Sequence, residues 1–95
     1  KSKQQRRAEA DARNAYSKAK KELDLRIFKI EQELATLDKR KHEIVNLLQE
    51  EATYADAAQF RALSAELETV ETKISKFTSD WEKATEELEK LVPVA

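Results

Sequence analysis

The chain has 95 residues with no Gly, Cys or Met, one Pro, 39% charged side chains and a formal net charge of −1. That length suits one small domain, yet a globule of this size draws on turn residues and a thicker apolar core than this composition supplies. The missing residue types exclude a disulfide framework, a cysteine metal site and a glycine-rich phosphate loop, and the apolar runs are far too short to span a membrane.

The first segment is basic. Lys1, Lys3, Arg6, Arg7, Arg13, Lys18, Lys20 and Lys21 stand against Glu9 and Asp11, so eight cations less two anions give +6. The rest of the chain carries 10 basic and 17 acidic groups, a balance of −7. A basic end on an acidic body suggests an arm that seeks phosphate. Residues 1–21 are accordingly expected to form a basic helical extension or linker, rich in Ala and Gln and carrying Tyr16. Its phosphate contacts would be independent of sequence and sensitive to salt. The same composition also suits a solvated charged helix, or a linker to a further domain. Because the chain starts at Lys1 rather than Met, it reads as a piece of a longer protein.

Residues 22–92 are expected to form an all-α, two-helix antiparallel coiled-coil hairpin. Leu23, Ile27, Ile30, Leu34, Leu37, Lys41, Ile44 and Leu48 alternate spacings of four and three, interrupted only by Lys41. Leu63, Leu67, Val70, Ile74, Phe77, Trp81, Ala84, Leu88 and Leu91 repeat that alternation without a polar break. A mean spacing near 3.5 residues keeps one stripe against a partner as helices supercoil.

The register breaks between Gln49 and Ala62, and the turn is expected near 50–56. Thr53 with Asp56, and Asp56 with Gln59, both have the spacing of a helix start. Pro93 is expected to end the second helix and leave 93–95 as a tail. A short turn makes the helices antiparallel, so facing residue numbers have a constant sum. A sum of about 111 places Trp81 beside Ile30, whereas about 104 places it beside Leu23; the former leaves the shorter loop. A dimer with a straight helix in place of the turn is the competing arrangement.

Little in the sequence resembles catalytic machinery. His42 is the single histidine, and a metal site needs several convergent ligands. Ser79 and Glu82 have capping-box spacing, but the apolar repeat runs straight through them. No nucleophile, general base or metal cluster is recognisable, so the chain is not expected to be an enzyme or to hold a cofactor. Leu25 and Phe28 point away from the seam, as scattered surface apolarity or as a docking patch.

Taken in order, these segments resemble the C-terminal coiled-coil domain of ABC-F proteins, the soluble twin-cassette ATPases. Lys3-Gln4-Gln5-Arg6-Arg7-Ala8-Glu9-Ala10, followed by Arg13, is similar to that domain's basic opening. The Lys21-to-Leu48 repeat, Tyr54 at the turn, Leu63-Ser64-Ala65-Glu66-Leu67 and the late Trp81 with its acidic sequel follow the same order. The turn departs from the family's frequent Asp-Pro, reading Glu50-Glu51-Ala52-Thr53-Tyr54. The resemblance implies a cytoplasmic parent ATPase that acts on ribosomes, with some members linked to DNA. ATP and magnesium would bind in the parent, outside this segment. It further implies a monomeric, non-membrane domain that contacts ribosomal RNA, tRNA or DNA, with Lys3, Arg6, Arg7 and Arg13 as phosphate contacts. Lys18, Lys20 and Lys21 extend that set by their charge. Two alternatives stay open: a structural or protein-interaction coiled coil that binds no nucleic acid, and a tRNA-binding helical arm like that of seryl-tRNA synthetases.

Overall fold

Ala-rich, Gly-free sequence with apolar residues at helical spacing leaves the backbone few competing conformations. The computed structural model describes Ser2–Pro93, and every regular element among these residues is α-helical. The elements are α1 (Lys3–Leu48), α2 (Glu51–Tyr54) and α3 (Ala57–Lys90). The molecule is a rod of 78 × 15 × 14 Å. Lys1, Val94 and Ala95, and with them the ends of the expected basic segment and tail, lie outside the described residues.

Each boundary has a local cause. Ser2 opens α1 with a reciprocal capping box: its Oγ accepts from the Gln5 N–H at 3.1 Å, and its own N–H donates to Gln5 Oε1 at 2.9 Å. Asp56 opens α3 by accepting from the Gln59 N–H at 3.1 Å, in keeping with the spacing of those residues. Thr53 does not start a helix. It lies inside the four-residue α2, where Glu50 is the N-cap, and it is buried beneath the bend with 3% exposure. The turn therefore holds a short third helix. Tyr54 at the end of α2 and Phe60 in the first turn of α3 are both exposed. Leu91 leaves helical geometry (φ −68°, ψ 125°) just ahead of Val92, which Pro93 biases toward extended backbone.

α1 packs along α3 within the one chain. Arg26 pairs with Glu87, Trp81 Nε1 donates to Glu31, Lys41 lies near Glu71, and Arg40 pairs with Glu66. Numbers rise along one helix as they fall along the other, so the two run in opposite directions. The first three pairs sum to 113, 112 and 112, which fits an alignment near 111 rather than 104, while the last sums to 106.

The core is a narrow seam. Leu23, Ile30 and Ile44 of α1 and Leu63, Val70 and Ala84 of α3 are its buried apolar residues. Within each helix they recur at multiples of seven, as a 3.5-residue period requires. Ile44, with 0% exposure, clusters with Leu63 and Val70 and is flanked by Leu37, Leu67 and Ile74. Lys41 is half-buried within this stripe, with its ammonium 4.0 Å from Glu71. Its stem lies along the apolar surface while the charge reaches water.

Candidate functional site

The helices differ in length, and that difference makes the site. α1 has 46 residues and α3 has 34; at about 1.5 Å per residue they extend about 69 and 51 Å. Lys90, the last residue of α3, and its C-cap Leu91 line a shallow groove with Ala19, Glu22, Leu23 and Arg26 of α1. From Lys18 back to Lys3, α1 continues beyond the end of α3 as an overhang roughly 24 Å long. The basic segment is thus an unbroken part of α1.

Sequence spacing sorts the faces of this overhang. Ala8, Ala12, Ala15 and Ala19 recur at intervals of four, three and four, in line with Leu23 of the seam. Ala19 does face that seam, because it shares the groove with Leu23 and Leu91. The cations lie in two rows. Lys3, Arg7, Lys18 and Lys21 form one, turned away from the seam, and Arg6, Arg13 and Lys20 form the other, at seven-residue intervals that run on into Ile27 of the seam stripe. All seven are exposed. The sequence names every one of these residues; the helix orders them into these two rows.

Their partners distinguish them. Lys20 Nζ is bound to Asp24 at 2.9 Å, and that hydrogen bond raises the lysine above its usual value. Part of its charge is therefore already answered within the helix. Among the described residues, no ion pair engages Lys3, Arg6, Arg7, Arg13, Lys18 or Lys21. No acidic residue lies in the first turn of α1. Cations there add to the positive end of the helix dipole instead of offsetting it. The arrangement concentrates positive potential on an exposed helical surface.

The body of the rod handles charge differently. Arg40 grips Glu66 through two hydrogen bonds, with Nη2 to Oε1 at 2.7 Å, and also reaches Glu43 at 3.2 Å. The grip on Glu66 holds the carboxyl below its ordinary range, and the Arg40 guanidinium is raised in turn. His42 is exposed beside Asp38, and its Nδ1 lies 2.8 Å from the Asp38 carbonyl oxygen. Among the described residues, no group of three or more His, Cys, Asp and Glu side chains is placed to hold a metal ion. No helix among the described residues is long and apolar enough to cross a membrane. Sequence reasoning did not single out the Ser2 cap or the Arg40–Glu66 bridge. The first was legible as Ser2-x-x-Gln5, whereas the second depends on the alignment of two helices.

Compared with known proteins, the chain matches no family model, no curated protein and no solved structure.

Proposed function

We propose that this chain is a non-catalytic nucleic-acid-binding module: an antiparallel coiled-coil hairpin that projects a basic helix toward phosphate. The observation that carries the reading is the overhang of α1, where Lys3, Arg6, Arg7, Arg13, Lys18 and Lys21 are exposed and, among the described residues, engaged by no ion pair. Unanswered cations on a rigid helix favour a polyanion, since every contact releases counterions from the phosphate backbone. The opposed directions of α1 and α3 and the heptad spacing of the buried seam support the hairpin. An ABC-F parent, and a ribosomal or DNA target for it, rest on the sequence resemblance described above.

Binding should be weak, independent of base sequence and steep in salt. With about three to five phosphates neutralised, the log–log salt slope on a duplex is roughly −3 to −4. Combined Arg6→Glu, Arg7→Glu and Arg13→Glu substitutions should abolish binding to RNA and DNA in a gel-shift titration at two salt concentrations. They should leave the helical content intact, because these side chains touch nothing in the seam. Undiminished binding by that triple variant refutes the overhang as the site.

A further inference from the structure

The outermost lane of α1, the one facing directly away from α3, continues past the overhang. It carries the cations Lys3, Arg7, Lys18 and Lys21, and further along Lys39. Between Lys21 and Lys39 it presents two large apolar side chains, Leu25 at 54% and Phe28 at 57% exposure. Following steps of three and four from Lys3 to Lys39, this lane meets one carboxylate, Asp11, in a chain where 39% of residues are charged. From Lys3 to Lys39 the track is about 54 Å long.

We propose that this lane is a track for single-stranded nucleic acid, on which Phe28 is the platform for a stacked base. The inference rests on the nucleic-acid reading and specifies its ligand. A single strand needs cations spaced along its backbone and an open aromatic face for an unpaired base. Phe28 supplies the face, and Lys21 lies two helical turns before it, about 10 Å along the axis. Leu25 stands between them and keeps the ring edge dry. A duplex offers the same phosphates but keeps its bases stacked on one another, so a ring standing out from a convex helix gains little from it. Two apolar side chains in a lane that is basic or neutral apart from Asp11 are also too few for a membrane-embedded face or a hydrophobic protein interface.

The test compares Phe28→Ala with the parent chain, using fluorescence anisotropy on a labelled single-stranded oligonucleotide and on a duplex of equal length. Loss of one stacked base should weaken single-strand binding roughly tenfold, with duplex binding changed less than about twofold because phosphate contacts are untouched. Phe28→Trp should restore the affinity and show fluorescence quenching on single strands beyond any change from Trp81. The exposed position makes both variants fold normally, checked by helical circular dichroism. An equal loss on both ligands, or no loss on single strands, overturns the proposal while leaving the basic overhang as a phosphate site. A loss confined to vesicles of anionic lipid, or to a protein partner, overturns it in favour of docking. Absence of binding by the parent chain to either nucleic acid overturns this proposal and the underlying reading together.

Discussion

The overhang and the paired body are parts of one helix, yet they are held by different physics. From Ala19 onward, α1 buries Leu23, Ile30 and Ile44 against α3 and gains a hydrophobic seam. From Lys3 to Lys18 it buries no side chain and stands on intrinsic propensity, a capping box at Ser2 and the helix already formed behind it. An isolated helix that short is marginal in water because nucleation is costly, but here the body supplies the nucleus and the overhang only propagates. The difference separates tasks: charges that would oppose packing collect where nothing packs. Stability and function should therefore respond to different substitutions.

The sharpest break in that comparison comes from Ile44, the one fully buried large side chain among the described residues. Ile44→Ala should cost about 2–5 kcal/mol through lost transfer energy and a residual cavity. Thermal melting by circular dichroism should drop strongly, while nucleic-acid affinity at a temperature where the variant is still folded stays at the parent value. Next comes one substitution placed in each region. Ala12 and Ala35 are both exposed helical alanines, one in the overhang and one in the body. Ala35→Pro should lower stability by about 3 kcal/mol, since it removes a helix bond and clashes with the preceding turn. Ala12→Pro should fray only the residues before it, leaving the main melting transition in place and weakening nucleic-acid binding. Equal shifts in melting temperature would mean that the overhang is packed after all.

How much of this was legible follows the same division. The two seams and their period were readable because a core one stripe wide leaves its whole signature in the linear spacing of Leu23 to Leu48 and Leu63 to Leu91. The alignment near 111 was reachable from loop length and side-chain size. The cations were readable as composition, but their gathering into two rows needed the helix to be continuous through Lys21. Thr53 misled, because a threonine three residues before an acid marks a cap and is equally at home buried in a bend. Arg40–Glu66 was invisible for a physical reason: its partners are far apart in sequence and meet at the seam's edge, where any of several charges could have paired.

That bridge supplies the smallest and most specific expectation. The Glu66 carboxyl is held below its usual value near 4.5, first by hydrogen bonds from Arg40, so the folded state favours the ionised form. A depressed carboxyl contributes stability above its unfolded value and loses it as pH falls through the folded value. The window therefore lies below about pH 4.5. Both side chains are more than a third exposed, so solvent screening keeps the effect modest. Glu66→Gln should lower the melting temperature slightly at neutral pH and flatten the acid limb, so that parent and variant converge once Glu66 is protonated. The pair that joins overhang to body gives the contrast. Lys20–Asp24 lies within one helix and links nothing across the seam, so Asp24→Asn should leave the neutral-pH melting temperature nearly unchanged. It should also leave Lys20 freer to meet phosphate, tightening nucleic-acid binding where Glu66→Gln has no effect. Stabilisation lost equally in both variants would show that the bridge between helices contributes no more than a pair on one helix.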